Sequence, residues 1–248
     1  MSTTEVILSE VGTGRPALVL HGGGGPATVA MIAEHLGESM HAILPTHPGW
    51  NGAPRPVSIA SIPDFAARYL DLLAERDLSD VLVVGSSIGG WIAAEMAVRD
   101  REQRISQLVL VDAVGIDVAD EPMTDFFALD ARGVAEHSFH DSERFYVDPA
   151  TIPPEQAATM QGNVAIMRIV AGDPYMCDPG LQPKLAGVTI PTLVLWGDSD
   201  GIASPAYGEA YARSFGNARY EVIADAGHLP QIEQPGATLA AIDAFAAR

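Results

Sequence analysis

Residues Asp80 to Ala97, D-V-L-V-V-G-S-S-I-G-G-W-I-A-A-E-M-A, leave the chain little freedom of local structure. Val81 to Val84 is an uninterrupted apolar run rich in β-branched residues, the pattern of a strand buried on both faces. From Ile88 to Val98, Ile92 and Met96 recur at helical spacing among alanines. Only Gly85-Ser86-Ser87-Ile88-Gly89 joins the two, so the strand must turn sharply into the helix. Ser87 stands at the apex with a glycine two residues to either side, where a side chain would meet neighbouring backbone. Such a turn pushes the Ser87 hydroxyl out at a helix N-terminus, beside unpaired N–H groups and the positive end of the dipole. Ser86 does not fit the apex, because its flanks at the same offsets are Val84 and Ile88.

The rest of the chain supplies partners for that serine. Val6–Leu8 and Ala17–Leu20 read as strands, and the second runs into His21-Gly22-Gly23-Gly24-Gly25-Pro26. Four consecutive glycines expose backbone N–H groups with no side chains in the way, as an anion-stabilising loop requires. A phosphate loop is disfavoured by the missing G-K-[ST] ending and G-x-G-x-x-G spacing. Ala27–Met40 and Ile62–Leu78 read as helices, His41–Leu44 as a strand opening into the Pro/Gly-rich loop Pro45–Pro54. Ile105–Val111 is a further buried strand ending at Asp112. From about residue 118 to 187 strand signals vanish, and helices are expected over Pro122–Arg132, Val134–Phe145 and Pro154–Ala171. Ile190–Trp196 and Arg219–Ile223 close the pattern as strands, separated by a helix at Ala206–Phe215. The turn after the first of these carries Asp198 and Asp200. The loop after the second carries Asp225-Ala226-Gly227-His228. On the residues alone Asp112, Asp198 and Asp200 all stand at strand ends and could each orient a histidine.

With 248 residues, 48% of them hydrophobic, the chain suits one α/β domain, or one domain with an insertion. Its formal net charge of −18 argues against nucleic acid or an anionic membrane surface as a partner. No apolar run approaches the ~20 residues needed to span a bilayer, and the N-terminus lacks the basic and apolar regions of a signal peptide. The single cysteine, Cys177, permits no internal disulfide. These features lead to the expectation of a cytoplasmic location. The seven histidines show no H-E-x-x-H or similar spacing, so neither a catalytic metal nor a cofactor is expected.

Taken together these segments resemble the α/β-hydrolase family. Gly85-Ser86-Ser87-Ile88-Gly89 matches its G-x-S-x-G nucleophile elbow, and His21-Gly22-Gly23-Gly24 its H-G-x-G oxyanion loop. His47-Pro48-Gly49-Trp50 matches its H-P-G-[FYW] loop, although Asn51-Gly52-Ala53 departs from the usual continuation. Pro191 to Asp200 resembles its P-x-L-x-x-x-G-x-x-D segment, and Gly227-His228 its histidine loop. The resemblance implies an α/β-hydrolase fold: a mostly parallel central sheet flanked by helices, with a helical cap inserted after strand 6. Residues 1–117 and 188–248 would form the core domain and 118–187 the cap. It implies a triad in the chain order Ser87, Asp200, His228, selecting Asp200 over Asp198 and Asp112. It further implies oxyanion donors at the Gly23 and Ile88 amides, with His21 holding the loop rather than catalysing.

The activity so implied is hydrolysis of a small to medium apolar carboxylic ester or lactone through an acyl-enzyme. Gly24, Trp50, Met160, Met167 and Leu229 are expected at the substrate pocket. Further aromatic and methionine residues of the cap, among them Phe126, Phe139, Tyr175 and Met176, either line it or pack the cap itself. Alternatives within the family are a carbon–carbon bond hydrolase of diketone-like ring-cleavage products, a cofactor-free haloperoxidase, and a non-catalytic ligand-binding member. The first is disfavoured, since such enzymes usually carry Asn before the nucleophile and Trp after the histidine, where this chain has Ser86 and Leu229. A serine apex disfavours haloalkane dehalogenases and epoxide hydrolases. The expected partner is a small ester-like molecule. Oligomeric state is not readable.

Overall fold

A computed structural model describes residues 6–247. Seven strands form one sheet: β1 (Ile7–Val11), β2 (Pro16–Leu20), β3 (His41–Thr46), β4 (Val81–Ser86), β5 (Ile105–Val111), β6 (Thr192–Gly197) and β7 (Ala218–Ile223). Their order is β1-β3-β2-β4-β5-β6-β7; β1 alone is antiparallel, paired with β3, and the other pairings are parallel. The central strands β4 and β6 are buried along their whole length, as near-continuous apolar runs covered on both faces require.

Helices cover both sides. They are α1 (Ala30–Leu36), α2 (Ile62–Glu75), α3 (Ile88–Arg99), α4 (Ala131–Ser138), α5 (Ser142–Phe145), α6 (Pro154–Ala171), α7 (Gln182–Leu185), α8 (Pro205–Ser214), α9 (Pro230–Glu233) and α10 (Pro235–Ala246). Successive strand residues point to opposite faces, and the core divides accordingly. Leu18, Leu20, Val83, Leu110 and Val194 pack with α2, α3 and α8. Val19, Val84, Val109 and Leu193 pack with α1 and α10. Fully burying each such side chain contributes about 1.5–3 kcal/mol before entropy is counted.

The expected strands and helices of the core are present with small shifts at their ends. The long helix expected over Ala27–Met40 is interrupted: a 3-10 turn at Pro26–Thr28 precedes α1, with Val29 in a non-helical conformation between them. The strandless insertion lies between β5 and β6. It therefore follows the fifth strand rather than the sixth, since only four strands precede β5 among the described residues. Within it, Pro122–Arg132 is not a helix. Before α4 begins at Ala131, that stretch makes only a 3-10 turn at Phe126–Ala128, where Asp125 accepts from the Phe127 amide. Tyr175 fixes the chain on either side, its hydroxyl accepting from the Phe126 amide at 2.7 Å and donating to the Thr124 carbonyl at 2.8 Å. The helix expected over Val134–Phe145 is two helices. Asp130 caps α4 through the Gly133 amide and Asp141 starts α5 through the Arg144 amide, because a carboxylate beside free N–H groups nucleates a new helix start. No described helix is long and apolar enough to cross a membrane.

Candidate active site

The C-terminal ends of β2, β4, β5, β6 and β7 deliver their loops to one edge of the sheet. Ser87 follows β4 with φ 54 and ψ −117, a strained conformation for a residue with a side chain. Only glycine fits beside it. A Cβ at Gly85 would lie 2.3 Å from the Gly89 carbonyl oxygen, and one at Gly89 2.2 Å from that of Leu20. The partly exposed Ser87 hydroxyl lies 2.9 Å from His228 Nε2, and His228 Nδ1 lies 2.8 Å from Asp200 Oδ2. A carboxylate can only accept, so Nδ1 carries the imidazole proton and Nε2 is left to accept from the hydroxyl. Asp200 is buried, and its Oδ1 accepts from the Ile202 and Ala203 amides at 2.8 and 3.1 Å.

The loops holding acid and base are braced by the insertion. The last carbonyls of α4 receive them: Gly201 N–H donates to His137 O at 2.9 Å and His228 N–H to Ser138 O at 2.8 Å. Glu233 completes the brace, accepting from the amides of Gly227 at 2.6 Å, His140 at 3.1 Å and Asp141 at 3.0 Å. The rival acids sit elsewhere. Asp198 is exposed and accepts from Ser199 Oγ and the Asp225 amide, which makes it a turn residue. Asp112 is fully buried behind the triad, and its Oδ1 accepts from the Gly197 amide at 2.9 Å. Ser86 is buried and takes a 3.3 Å contact from Gln231 Nε2.

The glycine loop after β2 rests on a stack of buried rings. His21 and His47 have centroids 3.7 Å apart. His21 Nδ1–H donates to Gly22 O at 2.7 Å, leaving Nε2 to accept from the His47 amide at 3.0 Å. His47 Nε2–H donates to His21 O at 2.8 Å, and its Nδ1 accepts from the Tyr69 hydroxyl. Both rings are therefore neutral. Burial pushes His21 down to about 4; burial and the neighbouring His21 hold His47 well below the usual histidine range.

A cavity of about 420 Å³ opens onto Ser87 and His228. Gly23, Gly24, Ile88, Met160, Met167 and Leu229 line it, with Phe126, Phe139, Tyr175 and Met176 from the insertion. No Asp, Glu, Lys or Arg is among its lining residues. Trp50 is a correction: it does not line the cavity but is buried beneath the glycine loop, where its Nε1–H donates to Gly23 O at 3.0 Å. A larger groove of about 550 Å³ lies at the opposite ends of the strands, but Arg15 within it is already bonded to Asp80, Ser106 and Gln107. Among the described residues one group of side chains could gather round a cation, Asp112, Asp200 and His228, with ligand atoms within 4.8 Å of one another. A metal there would have to displace the proton that joins His228 to Asp200.

A model of the alpha/beta hydrolase family matches residues 17–242. The chain belongs to this family. Among its relatives, Lipase 3 of a Moraxella species is 29% identical over 234 residues, covering 89% of this chain and 74% of the lipase. The 2-hydroxy-6-oxo-6-phenylhexa-2,4-dienoate hydrolase of Comamonas testosteroni is 26% identical over 253 residues, covering 91% and 85%. The solved structure of an esterase, EaEST, from Exiguobacterium antarcticum shares the fold with a TM-score of 0.79 at 18% identity, covering 98% of this chain and 96% of the esterase. The chain is thus a hydrolase. Two parts of this hydrolase's site escape sequence reading. The Trp50 bond to Gly23 depends on the path of a loop 27 residues away, and the Glu233 brace joins three segments by backbone amides that any sequence possesses.

Proposed function

We propose that this hydrolase cleaves a small to medium apolar carboxylic ester or lactone through an acyl-enzyme. The observation that carries this reading is the unbroken relay from Ser87 through His228 to Asp200, at 2.9 and 2.8 Å. A serine hydroxyl is a weak nucleophile near neutral pH and needs an adjacent base. His228 Nε2 takes its proton as the oxygen attacks the carbonyl carbon. Asp200 holds the tautomer and stabilises the imidazolium. His228 then returns the proton to the leaving alcohol as the acyl–oxygen bond breaks. Water, deprotonated by the same imidazole, releases the acid and restores Ser87. The Gly23 and Ile88 amides serve as the oxyanion donors. Both residues border the cavity with Ser87, and neither amide has an acceptor among the described backbone bonds. Each such donor is worth roughly 2.7–4 kcal/mol in the transition state. The helical insertion serves as a cap that excludes water from the bound acyl chain.

The cavity's lack of fixed charge supports an uncharged substrate. A dienoate of the kind named for the Comamonas relative carries a carboxylate, and no Lys or Arg lines this cavity to receive it. Hydrolysis of p-nitrophenyl butyrate tests the reading: Ser87→Ala is expected to lose at least ~10³-fold in kcat. Unimpaired turnover by that variant would refute it.

A further inference from the structure

Asp112 is a fully buried carboxyl that the proposed mechanism does not use. It sits at the C-terminal end of β5, its own amide bonded to Leu195 O at 3.0 Å and its φ at 45. This fixes the side chain between β5 and the acid turn, beside Asp200. The Asp112, Asp200 and His228 ligand atoms lie within 4.8 Å of one another.

The donors around the two carboxyls are unequal. Asp200 receives three N–H groups, from Ile202, Ala203 and His228. Asp112 receives one, from Gly197 on Oδ1, and its buried Oδ2 has no donor among the described residues. The titratable groups that face Asp112 are Asp200 from the β6 turn, His228 from the loop after β7, and Tyr220 on β7. Two buried carboxylates this close do not both ionise, and the charge settles where the donors are. An acceptor-only Oδ2 would be an orphan there. An O–H would have its acceptor in Asp200.

We propose that Asp112 is a positioning residue: it keeps its proton and donates it in a hydrogen bond to Asp200, so that the pair presents one negative charge, fixed in orientation, to His228. The direction of its titration agrees, since burial first and the Asp200 charge second push the Asp112 carboxyl well above the usual carboxylate range. The inference rests on the Ser87–His228–Asp200 reading only for its consequence in catalysis; the protonated carboxyl itself is independent of it.

The experiment pairs infrared spectroscopy with pH–rate profiles on the full chain. At pH 8 the wild type is expected to show a carboxylic-acid C=O band that survives in Ser87→Ala and disappears in Asp112→Asn. Absence of the band, or its persistence in Asp112→Asn, would overturn the proposal whether or not the enzyme turns over. In kcat/KM for p-nitrophenyl butyrate, Asp112→Asn supplies a neutral donor of the same shape. It should stay within about threefold of wild type with the acid limb unmoved. Asp112→Ala removes the donor, leaves Asp200 more basic, and should raise the acid-limb pKa while lowering kcat about tenfold. If Asp112 were ionised, Asp112→Asn would delete a negative charge and lower the acid limb, overturning the proposal. So would activity lost on chelation and restored by a divalent ion, which would put a cation where the proton is assigned. Activity lost in Ser87→Ala with the band intact supports both readings; turnover retained in Ser87→Ala with the band intact sinks only the acyl-enzyme.

Discussion

Trp50 lies at the centre of the residue-scale account, although it never meets the cavity. Its indole N–H is the partner of the Gly23 carbonyl, so it fixes the peptide plane next to the amide proposed to bind the oxyanion. Trp50→Phe keeps most of the buried area and orphans that carbonyl, a loss of about 1–3 kcal/mol. The expected result is a kcat reduced about tenfold with KM within about twofold, because the misplaced donor matters most in the transition state. A raised KM at unchanged kcat would show Trp50 acting on ground-state binding instead. Beneath it, His21 titrates near 4 when folded, against an ordinary 6.5. The unfolded chain therefore binds that proton first, and stability falls as pH drops from about 6.5 towards 4, by about 3 kcal/mol for this group. Urea unfolding between pH 7 and pH 4.5 should show a shallower decline in His21→Gln than in wild type; equal declines would contradict the assignment.

At the scale of elements, the C-terminus of α4 buttresses the loops that carry Asp200 and His228. Its last two carbonyls take the amides of Gly201 and His228, and Glu233 on α9 ties the Gly227 amide to those of His140 and Asp141. Removing that carboxylate frees three backbone donors and lets the histidine loop drift. Since a displacement of about 1 Å can cost up to about 10²-fold, Glu233→Ala should lower kcat by about tenfold or more with a modest fall in melting temperature. A melting shift with kcat untouched would make Glu233 merely structural. The elements show where sequence reading succeeds and fails. The elbow was legible because its constraints lie within five residues: strand, two glycines, serine, helix. The meeting of Asp200 and His228 beside Ser87 was legible because strand ends fix where loops emerge, and the family pattern chose Asp200 over Asp198. The stretch Pro122–Arg132 was not, since its conformation is set by Tyr175, some fifty residues on. The split between α4 and α5 was recoverable in principle, because Asp141-Ser142-Glu143 is a helix-start signal. Asp112 appeared in sequence only as a rival acid; its place beside Asp200 follows from two adjacent parallel strands ending together.

For the whole molecule, a net charge of −18 surrounds a cavity without fixed charge among its lining residues. Both features oppose an anionic acyl group, through its approach and through desolvation. At equal leaving group, a hemisuccinate ester should be hydrolysed at least about tenfold less efficiently than a butyrate ester, in kcat/KM. Comparable efficiencies would reveal a carboxylate site that the cavity lining does not display. Acyl-enzyme catalysis by this chain depends on a bond forming at one oxygen. Rapid acid quench of p-nitrophenyl butyrate turnover, followed by intact mass and peptide mapping, reads that bond directly. The predicted result is one butyryl group on the peptide containing Ser87, formed in the burst and absent in Ser87→Ala. Steady turnover with the butyryl group on another residue would contradict it.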